Sequence, residues 1–244
     1  MTISAFDIAI LGAGPVGRVL ALMLARVAPD PARIALLAGA SPAPVTPAAA
    51  IPVADPRVLA MNHGSRVLLE SLNAWPAKAA DILNIHVSQR GRLGRSVIQH
   101  TDFDVPQLGC VVAYSALHAK LEERVAASGV TLLSGPPAQI DGQDGDGVRI
   151  SQGDTALSCR IAVQSDGAGA SDLRRDYGQH ALLTTVHATL PRRGWAWERF
   201  TAEGPLALLP HPQLPDAYSV VWCSAPARAA ELAALDNAAV SYTH

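Results

Sequence analysis

Three glycines near the start of the chain have the spacing of a turn that binds the diphosphate of a dinucleotide. Gly12, Gly14 and Gly17 form the pattern G-x-G-x-x-G, with Pro15 after the second glycine. In such a turn the first glycine allows a sharp bend, the second lets backbone approach a pyrophosphate, and the third lets a helix pack closely on a strand. The N-terminus of that helix adds N–H donors and a positive dipole end. The spacing therefore predicts dinucleotide binding.

The segments around the turn have the pattern that this prediction requires. Residues 7–11 are almost continuously apolar, as in a parallel strand that is buried on both faces. A helix is predicted from about Pro15 to Val27, and residues 33–37 predict a second buried strand. Together they form a βαβ unit with a right-handed crossover. An ordinary glycine-rich turn is the alternative, and the βαβ context weighs against it.

An alanine occupies the place where a dinucleotide fold usually carries an acid. An aspartate or glutamate about 20 residues after the glycines normally binds the ribose hydroxyls. Here that place falls on Ala38, followed by Gly39. We therefore expect either that water and backbone alone hold the ribose or that cofactor affinity is reduced. Arg33 lies at the start of the second strand, not at its end, and so does not indicate NADP.

The composition excludes several other classes of function. The net charge is -2 with both signs mixed along the chain, so no nucleic acid partner is predicted. The 3 cysteines are far apart and the 8 histidines lack metal-ligand spacing, so neither disulfides nor a metal site is predicted. Motifs of hydrolases and nucleoside triphosphatases are absent. Scattered cysteines without a disulfide pattern fit a reducing cytoplasm. The apolar N-terminal stretch is too short to cross a bilayer, so we expect any membrane contact to be peripheral.

The middle of the chain predicts two helices separated by strands. One helix begins near Ser65, and strands with a turn at residues 91–94 are predicted between about residues 81 and 105. Ser115 is a good N-cap for the second helix, which is closed by Gly129. Apolar residues at four-residue spacing predict the buried stripe of this helix, formed by Leu117, Leu121 and Val125.

The second half of the chain is rich in strand patterns. Short β-rich segments between residues 138 and 163 are separated by Asp-Gly and Gly-Asp pairs, which predict the turns of a β-meander. These pairs are Asp141-Gly142, Asp144-Gly145, Asp146-Gly147 and Gly153-Asp154. A further strand ends in the turn Asp166-Gly167, and beyond His180 the pattern is almost wholly that of strands.

A series of motifs occurs in a fixed order along the chain. After the strand and glycine turn at residues 7–17 come the segments Asp55–Ala60 with Gly64-Ser65, Leu108-Gly109, Asp166-Gly167, Glu198–Thr201, Gly204–Pro210 and Val221-Trp222. In this order they resemble the flavin hydroxylases of ubiquinone biosynthesis, a branch of the single-component FAD monooxygenases. The resemblance extends across nearly the whole chain, and the ordered set is far more specific than any one motif.

This resemblance implies a fold and an activity. The fold class is α/β: a Rossmann-type FAD-binding domain with a β-meander, plus part of a mixed-sheet substrate domain. The FAD-binding domain is expected at residues 1–178, with a strand-rich insertion at about 76–107, and an incomplete substrate-binding sheet at 179–244. The implied activity is hydroxylation of an aromatic ring, in a polyprenylated phenol or quinone precursor, with FAD as cofactor and NAD(P)H and O2 as co-substrates. No catalytic residue is named, because the cofactor carries the chemistry.

The resemblance also assigns roles to residues outside the glycine turn. Arg57 would lie near the flavin, and Asp166 and Gly167 would contact the ribose or pyrophosphate of the cofactor. An arginine offers a fixed charged fork to an anion, and a carboxylate suits paired ribose hydroxyls. The alternatives are a surface arginine in a proline-rich loop and a simple Asp-Gly turn.

Large aromatic residues fall on the late strands, where the family builds a sheet over the reactive face of the flavin. They could line an aromatic pocket, although core packing is the more common fate of aromatics in sheets. These residues are Trp195, Trp197, Phe200 and Trp222. The adjacent Glu198 and Arg199 suggest either an ion pair or a solvated surface pair.

Members of the family continue well past the strand at Val221-Trp222, whereas this chain stops at His244. Truncation at the C-terminus is therefore expected, and a catalytically silent FAD-binding protein of the same fold is an alternative. A plain NAD-dependent dehydrogenase is disfavoured by Ala38 and by the late aromatic strands. The resemblance is also compatible with peripheral association with the inner membrane or with a biosynthetic complex.

Overall fold

The chain forms two compact units in a computed structural model, which describes residues 4–39, 55, 57–167 and 175–235. The first unit contains residues 1–53, 68–75 and 116–172, and the second contains residues 54–67, 76–115 and 173–244. In chain order the elements are β1 (Ser4–Leu11), α1 (Pro15–Ala25), a 3₁₀ turn (Pro31–Arg33), β2 (Ile34–Gly39), β3 (Val58–Asn62), α2 (His63–Ser71), β4 (Ala80–Ile82), β5 (Asn84–Gln89), β6 (Arg95–Gln99), a further 3₁₀ turn (His100–Phe103), β7 (Gly109–Ala113), α3 (Tyr114–Ala126), β8 (Thr131–Gly135), β9 (Gln139–Asp144), β10 (Gly147–Gln152), β11 (Thr155–Gln164), β12 (His180–His187), β13 (Trp195–Phe200), β14 (Pro205–Pro210), β15 (Ala217–Ser224) and α4 (Pro226–Ala233).

A six-stranded sheet in the order β8-β2-β1-β11-β10-β9 forms the centre of the first unit. Strands β8, β2, β1 and β11 run parallel, while β10 and β9 are antiparallel to their neighbours. The parallel strands are apolar because both of their faces are covered, and the side chains from Ile34 to Leu37 are at most 2% exposed. Leu11 lies opposite Leu37 on one side and Gln164 on the other. The predicted βαβ unit is confirmed.

The first helix follows the glycine turn directly. α1 begins at Pro15 with Gly14 as its N-cap, and proline suits this position because its missing N–H would have no helical partner there. The helix ends at Ala25, before the predicted Val27. The N–H groups of Val27 and Ala28 both donate to the carbonyl of Leu24, at 3.1 and 2.9 Å, and so close the last turn.

The predicted meander is present in β9, β10 and β11, but one of its predicted turns is wrong. Turns occur at residues 145–146 and 153–154. Asp141 and Gly142 lie inside β9 instead, with Gly142 opposite Arg149. The pairing register shifts between Arg149 and Ile150, and such a bulge accommodates a glycine without reversing the chain.

Helix α3 has the predicted buried stripe but a different start. Its three stripe residues are at most 2% exposed, and Gly129 follows the helix with a φ of +81°. Ser115 is not the N-cap, since the helix already begins at Tyr114. The backbone N–H of Tyr114 donates to the carbonyl of Arg57 at 3.0 Å, so a neighbouring backbone segment satisfies this helix end in place of a serine hydroxyl.

The second unit contains a mixed six-stranded sheet in the order β12-β15-β14-β13-β5-β6 and a three-stranded sheet in the order β3-β7-β4. β13 runs parallel to β5, and the other neighbours are antiparallel. Ile82, Val111 and Ala196 bring side chains of both sheets into one apolar cluster. The strand-rich segment predicted at about 76–107 therefore joins the late strands through β5. The predicted domain limits at residues 178 and 179 stay a prediction.

The one helix beyond His180 in the described part of the chain, α4, was not predicted. The pattern there indicated strands only, yet residues Pro226–Ala233 are helical, with Pro226 in the first turn. Four of these residues are alanine, which has the highest helix propensity, and Ala229 and Leu232 are buried. Composition was a better guide than periodicity in this segment.

Candidate functional site

Gly12 makes the sharp bend at the end of β1. Its φ is +109°, a region that L side chains rarely adopt. A Cβ atom at Gly12 would lie 2.6 Å from the backbone nitrogen and 2.7 Å from the Cα of Asp166. Its own N–H donates to the carbonyl of Leu37 at 2.9 Å. Glycine is therefore required here by both backbone conformation and the close approach of a neighbouring strand end.

Gly17 lets α1 pack directly on the bend. A Cβ atom at this position would lie 2.0 Å from the carbonyl oxygen of Gly12 and 2.6 Å from the Oγ of Ser165. The first of these contacts is with backbone, which cannot turn aside as a flexible side chain can. The sequence assigned this glycine to close packing between helix and strand, and the structure confirms the assignment.

Gly14 differs from the other two glycines because nothing among the described residues crowds it. Its φ is -70° and its ψ is 179°, an extended conformation that any residue adopts. No described atom lies within 4 Å of the position that a Cβ would take. The fold therefore does not require glycine here, and the open space lies beside the first residue of α1, Pro15. This is the geometry expected where a ligand approaches backbone.

The residues after β11 close the other side of the turn. The Oγ of Ser165 lies 3.0 Å from the carbonyl oxygen of Leu11 and 2.9 Å from that of Gly12, and donates to this pair. Asp166 follows with its backbone against Gly12, and Gly167 has a φ of +69°. The structure thus brings Asp166 and Gly167 to the glycine turn. Ser165 fixes this arrangement, and no pattern in the sequence indicated this role, since a serine before a turn is common.

Arg57 lies in the second unit, beside β3. Its guanidinium binds the carboxylate of Asp55 through Nε and Nη2, with a shortest distance of 2.5 Å, and lies 4.0 Å from the centre of the Tyr114 ring. These hydrogen bonds hold the pKa of Asp55 below its usual range. The Arg57 side chain is 54% exposed. Its predicted role at the flavin stays a prediction.

The end of β2 carries Ala38 and Gly39 where the ribose acid was expected. The carbonyl of Ala38 accepts a hydrogen bond of 3.0 Å from the amide nitrogen of Gln152, a buried residue that also donates to Pro136 at 3.1 Å. This glutamine joins β2 to the loop after β8. Arg33 pairs with Asp7 at 2.7 Å, at the opposite end of the strand.

Arg18 is a buried cation beside the turn that the sequence did not single out. Only 5% of the residue is exposed, and its Nε donates to the carbonyl of Ala13 at 2.6 Å. Arginine is almost never fully buried unless it is paired. The available signal was its place directly after the third glycine, one turn into the helix.

The aromatic residues of the late strands do not share one face. Strand pairing puts Trp195, Trp197 and Trp222 on one face of the six-stranded sheet and Phe200 on the other. The rings of Trp195 and Trp197 are stacked with centres 6.1 Å apart. A single pocket lined by all four aromatics, as the sequence allowed, is therefore wrong.

Glu198 and Arg199 also lie on opposite faces of β13, because successive side chains of a strand alternate. They therefore do not form an ion pair with each other. The face of Glu198 carries Ala207 and Val87 in the same row of paired residues. Burial there raises the pKa of the Glu198 carboxyl.

A cleft of about 480 Å³ opens at the end of this sheet, within the second unit. The hydroxyl of Tyr218 accepts from the backbone nitrogen of Arg192 at 2.7 Å and donates to its carbonyl at 3.1 Å. The guanidinium carbon of Arg192 lies 4.4 Å from the centre of the Trp195 ring. Across the cleft, the Nδ1 of His211 accepts from two backbone N–H groups at 3.1 Å, and burial lowers the pKa of this imidazole.

The described ranges contain neither a membrane-spanning helix nor a cluster of metal ligands. No helix there is long and apolar enough to cross a membrane. No three His, Cys, Asp or Glu side chains there come together in a way that could hold a metal ion.

Solved structures that are similar in fold include a probable FAD-dependent monooxygenase, PqsL of Pseudomonas aeruginosa. PqsL of Pseudomonas aeruginosa matches with a TM-score of 0.69 at 18% identity, covering 94% of this chain and 63% of that one. The p-nitrophenol 4-monooxygenase PnpA of Pseudomonas putida matches with a TM-score of 0.63 at 14% identity, covering 98% and 61%. The fold is therefore the α/β fold of the flavin monooxygenases, with a Rossmann-type part and a mixed sheet.

The proteins that are similar in sequence form a narrower group than the solved structures that are similar in fold. The chain is 29% identical to the 3-demethoxyubiquinol 3-hydroxylase of Escherichia coli over 95% of its own length and 61% of that protein. It is 29% identical to the ubiquinone hydroxylase UbiL of Rhodospirillum rubrum over 88% of its length and 51% of that protein. No protein-family model matches the chain. The resemblance to the flavin hydroxylases of ubiquinone biosynthesis is confirmed, and the chain spans between about half and three fifths of these relatives.

Proposed function

We propose that this chain provides the FAD site and part of the substrate domain of a monooxygenase that hydroxylates an aromatic ring. The substrate class is a polyprenylated phenol or quinone precursor of ubiquinone, with NAD(P)H and O2 as co-substrates. The observation that carries the proposal is the contrast within the glycine turn. Gly12 and Gly17 are required by the fold, whereas Gly14 faces space that a ligand can fill.

The residues present fit FAD. The backbone at Gly14 and the first N–H groups of α1 would bind the diphosphate, since a helix N-terminus with close backbone approach favours anions. Asp166, with its backbone against Gly12, would bind ribose or diphosphate through the same end of the sheet. With Ala38 at the end of β2, the adenosine ribose would be held by backbone and water. Arg57 would lie near the flavin ring.

When bound, FAD would supply the redox chemistry for inserting one oxygen atom of O2 into an electron-rich ring, with NAD(P)H as the reductant. The contribution of this chain is to bind and orient the cofactor, and the mixed sheet of the second unit would supply the wall of the substrate site. We propose the same domain limits as above: residues 1–178 for FAD, with the strand-rich insertion at about 76–107, and residues 179–244 for the substrate sheet. Because the proposed substrate carries a polyprenyl tail, we propose that the protein associates peripherally with the inner membrane or with a biosynthetic complex.

The proposal is tested by reconstituting the purified chain with FAD and recording its visible spectrum. We expect a bound-flavin spectrum, NAD(P)H oxidation that a prenylated phenol stimulates, and a product that carries one additional oxygen atom. A flavin spectrum without product would indicate a catalytically silent FAD-binding protein. Binding of NAD but not FAD would contradict the proposal. Sedimentation with anionic lipid vesicles tests the membrane contact separately.

A further inference from the structure

Arg18 carries a positive charge into the interior of the first unit without a carboxylate partner among the described residues. The residue is 5% exposed, and its Nη1 is buried with no hydrogen-bond partner among the described residues. Within the described residues its side chain makes one hydrogen bond, from Nε to the neutral carbonyl of Ala13.

An arrangement of this kind is unfavourable in the free protein. A buried ion loses its hydration, and only a partner of opposite charge in good geometry compensates for the loss. Most buried side-chain nitrogens have a hydrogen-bond partner, so an exception calls for an explanation. An anionic ligand would supply both the charge and the acceptor that Nη1 lacks.

The position of Arg18 indicates which ligand this is. Its backbone N–H donates to the carbonyl of Gly14 at 3.0 Å, which makes it a residue of the first helical turn. Side chains in a helix lean toward its N-terminus, and the bond to Ala13 shows that this guanidinium does so. The cation therefore lies against the same turn in which Gly14 leaves space for a ligand.

We propose that Arg18 is a ligand of the cofactor diphosphate, which would add a charged hydrogen bond to those of the glycine turn. A guanidinium suits phosphate oxygens because its N–H groups form a fixed fork. The inference rests on the proposed FAD site. Arg18 would also provide a charged contact in a site that has Ala38 in place of the acid that usually binds the ribose.

The test compares Arg18→Met with wild-type chain in titrations with FAD, ADP and riboflavin. FAD and ADP contain a diphosphate, and riboflavin does not. We expect the Kd for FAD and ADP to rise about tenfold or more, because a charge-assisted hydrogen bond is lost. The Kd for riboflavin should stay unchanged. Arg26→Met is the matched control, since Arg26 caps the opposite end of the same helix, and it should leave all three constants unchanged.

The melting temperature of the cofactor-free chain separates a ligand role from a structural one. Arg18→Met removes an uncompensated buried charge, so the melting temperature should stay equal or rise. A structural clamp on Ala13 would instead give a lower melting temperature with unchanged FAD affinity, and that result would overturn the inference. Equal losses for FAD and riboflavin would also overturn it. Arg18→Lys, which keeps the charge, should recover part of the affinity and serves if the methionine variant does not fold.

The proposed function fails separately if wild-type chain binds ADP but not FAD. The ADP titration then still decides the role of Arg18. If wild-type chain binds neither ligand, both proposals are wrong.

Discussion

The two arginines that are proposed to contact the cofactor are held in opposite ways, one in each unit. Arg57 is largely exposed, binds Asp55 and lies on the ring of Tyr114. Arg18 is buried, and its bond to Ala13 leaves its charge without a counterion in the described chain. A motif resemblance pointed to Arg57, whereas burial and charge point to Arg18. An arginine that binds an anionic ligand is therefore recognised by a buried charge that has no counterion in the protein.

A similar difference separates the glycines of the turn. Gly12 and Gly17 are packed against backbone, so their replacement would act on the fold. Gly14 has open space around it, so its replacement would act on the ligand.

Gly17→Ala should have the largest effect. Its Cβ would lie 2.0 Å from the Gly12 carbonyl, so α1 must move away from the turn. We expect a loss of about 3 kcal/mol or more in the free energy of unfolding, measured by urea denaturation. A variant as stable as wild type would show that the helix is not seated on the turn as described.

Gly14→Ala should leave stability within about 1 kcal/mol of wild type, because alanine adopts the conformation found there and is only a weaker N-cap. Its methyl group would fill the space assigned to the cofactor. We expect the Kd for FAD to rise about tenfold or more in a flavin fluorescence titration. Unchanged FAD affinity would contradict the assignment of this space to the diphosphate.

Arg57→Met should have a smaller and different effect. If Arg57 contacts the flavin ring, the Kd for FAD and for riboflavin should rise by the same factor, about threefold, because the exposed guanidinium stays solvated. Arg18→Met is expected to change the FAD constant alone. If the Arg57 variant lost affinity for FAD but not for riboflavin, the roles proposed for the two arginines would be reversed.

Asp55→Asn should have the smallest effect on the free energy of unfolding, and this effect should shrink at acidic pH. Arg57 lowers the pKa of folded Asp55, so the pair adds stability above the unfolded carboxyl pKa of about 4, and this is lost as the pH falls through the lower folded pKa. Solvent screening limits the gain to about 0.5 kcal/mol. Urea unfolding at about pH 6 and about pH 3 should show a larger wild-type advantage at the higher value. An equal difference at both would exclude the ion pair as its cause.

The sequence predicted those features that depend on local pattern. The βαβ unit, the meander and the stripe on α3 followed from periodicity, and the turn from its glycine spacing. The start of α3 was missed because a backbone carbonyl, that of Arg57, satisfies its first N–H. Arg18 was missed for a related reason: burial depends on tertiary packing, and a helical arginine after a glycine looks like any surface cation.

The most direct test of the central claim, that the glycine turn binds the diphosphate of FAD, is a titration of wild-type chain and Gly14→Ala with FAD, followed by visible absorbance. We predict a bound-flavin spectrum for wild-type chain at saturation and a much weaker spectral change for the variant. Equal spectra for both chains, or no spectral change for wild-type chain, would contradict the claim.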